Sequence, residues 1–186
     1  MRKSLGAKPV LYPMPVLIVG TYNADGTANA MNAAWGGISE EKEISICIDG
    51  GHKTAENLTV GGGFTVSVAT VDTLVACDFV GIASGNSIPD KINRTGWHFV
   101  KSESVNAPVF EELPLTLECR VISYDEDTCR LVGEIVNASA DERVLDGNGL
   151  IDVDKLAPIT YDPVHHTYRK IGEIVGHAFS DGKALK

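Results

Sequence analysis

A lysine and a threonine stand where a helix is expected to begin. The stretch GGHKTAENL (50–58) follows a short apolar segment typical of a buried strand, so Lys53 and Thr54 would lie at the start of the next helix. Free N–H groups at a helix N-terminus carry partial positive charge and bind anions, and an adjacent ammonium strengthens that binding. The pair therefore fits a phosphate site. The alternative is that Thr54 caps the helix and Lys53 points into water.

A second stretch suited to ligand binding is TANAMNAAWGG (27–37). In a strand, four small side chains would share one face: Ala28, Ala30, Asn32 and Ala34. Side chains this small leave backbone N–H and C=O groups accessible to a flat polar ring system. Asn29 and Asn32 would add amide donors and acceptors, and Trp35 could close one edge. The alternative is that another element packs closely against these small residues.

The third stretch, CDFVGIASGNSIPDKINRTGWHF (77–99), is rich in turn-forming and polar residues. Ser84, Gly85 and Asn86 are suited to bind an anion or the hydroxyls of a sugar alcohol, and Lys91 could reach a phosphate. The alternative is an ordinary polar loop with a solvated lysine.

Motifs for catalysis by side chains are missing. There is no Walker loop and no G-x-G-x-x-G, and GIASG (81–85) places its serine one position too late for a nucleophile elbow. The four cysteines form no C-x-x-C pair and have no zinc-ligand spacing, so we expect reduced thiols and no metal site. Cys77 falls in an apolar helix, which favours a core position over a redox-active thiol. An enzyme with this sequence would depend on a bound cofactor.

Composition indicates an acidic globular protein. The 186 residues suit one domain, and the formal net charge of -9 argues against a nucleic-acid surface. Pro13 and Pro15 interrupt the only apolar run near the N-terminus, which argues against a signal peptide. No run approaches the roughly 18 apolar residues of a membrane span. We therefore expect a cytoplasmic protein without a membrane partner.

The hydrophobic pattern predicts many strands and few helices. Strands are predicted over 16–20, 27–35, 44–49, 64–69, 115–122 and 131–138, with weaker signals over 150–159 and near Tyr168. Helices are predicted over 53–60 and from Asp72 or Thr73 to residue 80, and residues 81–108 are predicted to form a long loop. Turn signals at NADG (23–26) and DEDT (125–128) indicate hairpins. This pattern favours an antiparallel barrel over a parallel α/β fold.

Six stretches, taken in order, resemble one known family. They are MPVLIVGTYNADGTANAMNAAWGGIS, GGHKTAENL, CDFVGIASGNSIPDK, LPLTLECRV, RLVGEIVNA and PITYDPVHHTYRKIGEIVG. Together they span nearly the whole chain, and through them it resembles the flavin reductase-like, FMN-binding split-barrel family, in particular its flavoredoxin branch. The resemblance implies a mainly β fold: a six-stranded antiparallel Greek-key split barrel with short flanking helices. It also implies a single domain over 1–186 and a homodimer with FMN near the subunit interface.

The resemblance further implies a set of cofactor-binding residues. They are Asn29, Asn32, Ala33, Ala34 and Trp35 along the flavin ring; Lys53, Thr54 and Asn57 at the phosphate; Ser84, Gly85 and Lys91 at the phosphate and ribityl chain; and His165 and Tyr168 in the C-terminal segment. Because two histidines are adjacent there, the assignment of His165 is ambiguous.

The implied activity is that of an FMN-dependent oxidoreductase. Electrons would pass from NAD(P)H or a protein donor through FMN to a flavin, a ferric complex or a redox partner. No side chain is required as an acid or base, so no catalytic residue is assigned. The alternative is an FMN-containing electron carrier without catalytic turnover, and fold-level likeness does not decide between the two. A third interpretation is a barrel that binds no flavin, in which all three stretches are structural.

Overall fold

The computed structural model describes residues 1–186 as a mainly β fold with four short α-helices and two 3-10 helices, Glu142–Val144 and Asp181–Leu185. The strands are β1 (Met14–Pro15), β2 (Leu17–Tyr22), β3 (Ala28–Ala33), β4 (Gly36–Glu40), β5 (Glu43–Cys47), β6 (Gly63–Val68), β7 (Phe99–Lys101), β8 (Pro108–Phe110), β9 (Leu115–Asp125), β10 (Arg130–Ala140), β11 (Ile159–Asp162) and β12 (Thr167–Lys170). The α-helices are α1 (Lys53–Gly61), α2 (Leu74–Ile82), α3 (Lys91–Thr95) and α4 (Val153–Leu156).

One antiparallel sheet forms the split barrel. Its strand order is β3-β2-β6-β9-β10-β5-β4, so β3 and β4 are its edges. The six strands predicted with clear patterns all belong to this sheet, which confirms the antiparallel split barrel. The sheet has seven strands in place of six because β4 pairs with β5. Two small sheets, β1-β11-β12 and β7-β8, pack beside it.

Both faces of strand β2 are covered by apolar clusters. On β2, Leu17 and Val19 belong to one cluster with Phe64, while Ile18 belongs to a second cluster with Cys77. A strand covered on both sides reads as a continuous apolar run, which explains the sequence LIVG. The second cluster lies between the sheet and helices α2 and α3, so it fixes these helices beside β3.

The first part of the polar side of β9 is also buried, whereas Arg120 further along the strand is exposed. Glu118 is 5% exposed. Its carboxylate accepts hydrogen bonds from Ser102 Oγ at 2.5 Å and Asn137 Nδ2 at 2.6 Å. Ser102 Oγ in turn accepts from the backbone N–H of Val105 at 2.9 Å. The loop between β7 and β8 therefore covers this side of the barrel.

Two regional predictions were wrong. Residues 81–108 were expected to form a loop but contain α3, β7 and the start of β8. Residues 150–159 were expected to form a strand, yet their centre is α4. Its N-cap Asp152 accepts hydrogen bonds from the N–H groups of Asp154 and Lys155, and this cap stabilises a helical turn over the alternating pattern IDVD. The strand near Tyr168 is confirmed as β12.

Cys77 is a core residue, as its apolar surroundings predicted. Its side chain has no exposed surface, and burial raises the pKa of the thiol to about 11. All four cysteines are free thiols. None of the helices has the length and apolar composition needed to cross a membrane.

Candidate functional site

Helix α1 begins without a side-chain cap. His52 occupies the N-cap position in an extended conformation, and its side chain makes no capping hydrogen bond. The first N–H groups of the helix therefore keep their ordinary lack of an intrahelical partner. Thr54 does not cap the helix either, because it is buried and its Oγ1 accepts a hydrogen bond from Asn29 Nδ2 at 3.0 Å. The capping alternative for Thr54 is thus wrong.

Buried amides join the start of α1 to the first hairpin. Asn29 Nδ2 also lies 3.3 Å from Thr21 Oγ1, which accepts a second hydrogen bond, 3.0 Å long, from Asn57 Nδ2. Asn57 Nδ2 further donates to Asn23 Oδ1 at 2.9 Å. These contacts connect β2, β3 and α1, so the position of the helix start is fixed by side chains of the core.

One buried polar atom in this network has no partner. Asn29 is 2% exposed, and its Oδ1 is the one buried side-chain oxygen or nitrogen in the chain without a hydrogen bond. Gly85 lies directly against it: a Cβ on Gly85 would stand 2.7 Å from Asn29 Oδ1 and 3.1 Å from Lys53 Cβ. A buried acceptor without a partner in a native protein points to a ligand or water that donates to it.

The loop after α2 is held against the start of α1. Asn86 Nδ2 donates to the carbonyl oxygen of Gly51 at 3.1 Å, and Asn86 N donates to Ser84 Oγ at 3.3 Å. Lys91 is 3% exposed, and its Nζ donates to the carbonyl oxygen of Ala83 at 3.0 Å. Burial lowers the pKa of Lys91 to about 8. In this arrangement the Lys91 ammonium contacts the loop backbone, whereas Ser84 is exposed.

A cavity of about 560 Å³ opens at this end of β3. Its lining comes from the β2–β3 turn, the start of α1 and the loop and helix after α2: Asn23, Ala24, Asp25, Thr27, Lys53, Gly85, Asn86, Pro89, Asp90 and Asn93. We call it the anion-end cavity. Lys53 is its single cationic residue, and Lys53 Nζ lies 2.8 Å from Glu56 Oε1 at the surface.

A second cavity, of about 450 Å³, lies near the end of β3. It is lined by Val16, Asn32, Ala34, Asp78, Gly81, Ile82, Tyr161, His166 and Tyr168, and we call it the ring-end cavity. Tyr168 OH donates to Asp78 Oδ1 at 2.6 Å. Burial, together with the Asp78 carboxylate, raises the pKa of Tyr168 above its ordinary value. Asn32 Nδ2 donates to the carbonyl oxygen of Cys77 at 3.1 Å.

The structure brings His166, rather than His165, to the ring-end cavity. His166 Nδ1 lies 2.7 Å from Tyr161 OH. His165 has a side chain 72% exposed and a contact of 2.9 Å between its Nδ1 and Asp162 Oδ2. Sequence reasoning therefore missed His166, Tyr161 and Asp78. The adjacent histidines were the signal for the first of these, and no local pattern marks the other two.

Strand β3 connects the two cavities. Asn29 lies behind Gly85, which lines the first cavity, and Ala34 lines the second. The two residues are five positions apart, or about 17 Å in an extended strand. As an edge strand, β3 leaves backbone N–H and C=O groups on one side unpaired with any strand.

Packing explains part of the small-residue pattern in β3. Ala28 and Ala30 belong to the apolar cluster beneath α2, as the packing alternative predicted, and Ala33 is buried in the other cluster. Ala34 also lines a groove with Trp35 and the N-terminal segment. Trp35 is 58% exposed there.

Comparisons with known proteins agree with this architecture. The sequence profile of the family described as "Flavin reductase like domain" matches residues 10–165. No curated protein sequence matches the chain. The structure is similar to that of flavoredoxin from Desulfovibrio vulgaris (Miyazaki F), with 36% identity and a TM-score of 0.93 over 98% of this chain and 100% of that one.

Two further solved structures extend the comparison. Flavoredoxin from Methanosarcina acetivorans is 28% identical, with a TM-score of 0.89 over 100% of both chains. An FMN-binding domain of a flavin reductase-like enzyme from Shewanella baltica OS155 is 21% identical, with a TM-score of 0.77 over 88% of this chain and 89% of that one, and shares the fold. With a profile match over most of its length and this likeness to flavoredoxin, the chain belongs to the flavin reductase-like family, in its flavoredoxin branch.

Proposed function

We propose that this protein binds FMN along β3 and transfers electrons through it as an FMN-dependent oxidoreductase. The observation that carries the proposal is the unpartnered Asn29 Oδ1, buried beside Lys53 and the uncapped start of α1. A donor hydroxyl next to an anion would satisfy all three features, and a ribityl phosphate supplies both groups.

The residues at the anion end fit the phosphate and ribityl chain of FMN. Lys53 Nζ and the first N–H groups of α1 would bind the phosphate. Thr54 Oγ1 accepts from Asn29 and keeps its own hydrogen free to donate to a phosphate oxygen. Ser84 and Gly85 would close the site from the α2 loop. Asn57 acts through Thr21 and positions the network.

The residues at the ring end fit a flat aromatic ring against the edge of β3. Backbone groups of β3 and the amide of Asn32 would bind polar ring atoms, and the small Ala34 leaves room for the ring. Tyr168 and His166 lie opposite on the C-terminal hairpin. When bound, FMN supplies reversible hydride and electron transfer. The chain itself binds and orients the ring and needs no acid or base.

Absorption spectroscopy tests the cofactor directly. The visible spectrum of freshly purified protein would be recorded, and again after FMN is added and the excess is removed by gel filtration. We expect flavin bands that stay with the protein. A colourless protein that also fails to retain added FMN would overturn the proposal.

A reductase and an electron carrier differ in the molecules from which they take electrons and to which they pass them. The likeness to flavoredoxin, at 36% identity, favours an electron carrier as the second candidate. Oxidation of NADH and NADPH by the FMN-loaded protein, with ferric and free-flavin acceptors, distinguishes them. Steady turnover with either donor supports a reductase, whereas bound FMN without turnover supports a carrier that takes electrons from a protein.

A homodimer is part of the proposal. The C-terminal segment after β12 leaves Ile174, Val175 and Phe179 at least 83% exposed. Apolar side chains exposed together favour association. Light scattering on the loaded protein would give the mass directly, and a mass of one chain at micromolar concentration would contradict the dimer.

A further inference from the structure

We infer that the anion-end cavity selects a flavin carrying a single terminal phosphate and rejects a flavin dinucleotide, with Asp25 as the main discriminating residue and Asp90 as the second. The inference rests on the proposed function, because it assumes that the phosphate of a flavin lies at Lys53. The inference concerns whether a flavin with further groups attached to that phosphate can bind.

The direction of the ligand defines where a longer molecule must go. A flavin lying along β3 with its ring near Ala34 has its phosphate end near Asn29, about 17 Å away along the strand, where Gly85 also approaches Lys53. In FAD, that phosphate is joined through a second phosphate to adenosine. In this orientation the additional phosphate would enter the part of the anion-end cavity that is lined by the β2–β3 turn and by the residues around the start of α3.

Charge in that part of the cavity is negative. Its ionisable side chains are the Lys53 ammonium and the carboxylates of Asp25 and Asp90. One cation and the start of α1 suffice for one phosphate. A second phosphate finds no further cation in the lining of this cavity and meets two carboxylates, one of them paired with Arg94. Such like-charge contacts are a common way of excluding a competing ligand.

Asp25 is fixed in the turn and lies near Lys53. Its Oδ1 accepts from Thr27 N at 3.0 Å and from Thr27 Oγ1 at 2.6 Å. These hydrogen bonds, and more weakly the charge of Lys53, lower the pKa of Asp25. The carboxylate is therefore ionised at neutral pH and stays on the β2–β3 turn at the cavity wall.

Asp90 is partly neutralised. Both of its oxygens accept hydrogen bonds from Arg94, Oδ2 from Nε and Oδ1 from Nη2, each at 3.0 Å. Arg94 itself lines a different cavity, on the far side of α3. The repulsion from Asp90 is therefore weaker than that from Asp25, although both carboxylates face the same space.

Binding of FMN and FAD to the full chain and its variants tests the inference. Dissociation constants would be measured by flavin fluorescence quenching at low salt, with riboflavin as the phosphate-free reference. In the unmodified protein we expect FAD to bind at least about tenfold more weakly than FMN. Asp25→Asn keeps an oxygen acceptor for Thr27 and removes the charge, so the ratio should fall by about fivefold. Asp90→Asn should reduce it less.

Two controls keep the outcomes distinct. Asp154→Asn removes an exposed carboxylate on α4, outside the cavity, and should leave the ratio unchanged. Raising the salt to about 1 M should reduce the preference, because the screening length falls to about 3 Å. Equal FMN and FAD affinities in the unmodified protein, or a ratio unchanged in both Asp25→Asn and Asp90→Asn, would overturn the inference while leaving FMN binding intact. Failure to bind either flavin would instead overturn the proposed function.

Discussion

The two ends of the site are built in different ways. At the anion end, Asn29, Thr54 and Asn57 are nearly inaccessible to solvent. Asn29 donates directly to Thr54 and is linked to Asn57 through Thr21 on strand β2. At the ring end, most of the side chains that line the cavity are partly or fully exposed, Val16 being the buried exception. The hydroxyl of Tyr168 on the C-terminal hairpin reaches α2 through a single hydrogen bond to Asp78.

In the proposed FMN complex, this difference gives the two ends different tasks. A network fixed by the core loses little conformational freedom when a ligand arrives, so it can give affinity and orientation. A cavity walled by partly exposed side chains has to admit the ring and leave one of its faces open to a donor or acceptor. We therefore expect substitutions at the anion end to change flavin affinity more than substitutions at the ring end.

The largest effect is expected at Lys53. Lys53→Glu replaces an attractive contact to the phosphate with a repulsive one, so FMN affinity should fall at least tenfold, or about 1.4 kcal/mol. Isothermal titration calorimetry with FMN measures it. The matched control is Lys42→Glu, which makes the same charge change at an exposed residue between β4 and β5, away from the proposed phosphate site. An unchanged affinity in folded Lys53→Glu protein would remove Lys53 from the site.

Gly85 should give the next largest effect. The Cβ of Gly85→Ala would stand 2.7 Å from Asn29 Oδ1, and Asn29 is held by the core, so the α2 loop must move outward. We expect a loss of FMN affinity of about fivefold, or roughly 1 kcal/mol, and a loss of unfolding free energy of about 1–3 kcal/mol. Urea denaturation and titration measure the two quantities.

The matched control for Gly85 is Gly37→Ala. A Cβ on Gly37 would meet no atom within 4 Å, so both quantities should stay near those of the unmodified protein. If Gly85→Ala behaved like Gly37→Ala, the close approach of the loop to Asn29 would have no role in binding.

At the ring end, Tyr168→Phe should affect stability more than affinity. It removes the hydrogen bond to Asp78, at a cost of about 1 kcal/mol in unfolding free energy, and should change FMN affinity by less than about threefold. A tenfold loss of affinity would contradict the proposed division between the two ends.

The same variant has a pH signature. The pKa of Tyr168 is raised in the folded protein by burial and by Asp78. A raised folded pKa means that the stabilisation from this phenol is fully present below its unfolded value of about 10 and is lost as the pH rises above it. Urea denaturation at pH 8 and pH 10.5 should show a smaller loss of stability for Tyr168→Phe than for the unmodified protein.

Local patterns predicted the barrel strands and the start of α1 because these features depend on the hydrophobic periodicity and turn residues of short segments. Strand β4 was missed because GGISE has two glycines and no buried face. The approach of Thr54 to Asn29 joins residues 25 positions apart, and the pairing of Tyr168 with Asp78 joins residues 90 apart. Such contacts depend on how the sheet curls and on where α2 packs. Residue types suggested a phosphate and a flat ring, and the family resemblance implied FMN, but the long-range fold determines the shape of the site.

The smallest effect is expected from the adjacent histidines. His166 lines the ring-end cavity with a positive φ of 54°, whereas His165 contacts Asp162 at the protein surface. His166→Asn keeps a residue that tolerates this backbone conformation and should weaken FMN binding by no more than about threefold. His165→Asn should leave binding unchanged, because the His165 side chain contacts Asp162 and does not line the cavity.

Titration of both histidine variants with FMN, followed by fluorescence, gives the comparison within one segment of chain. A loss of FMN affinity in His165→Asn, with no loss in His166→Asn, would mean that the C-terminal hairpin changes conformation when flavin binds and brings His165 to the cavity. The ring end would then be shaped by its ligand, whereas the anion end, held by buried amides, would still be formed in advance.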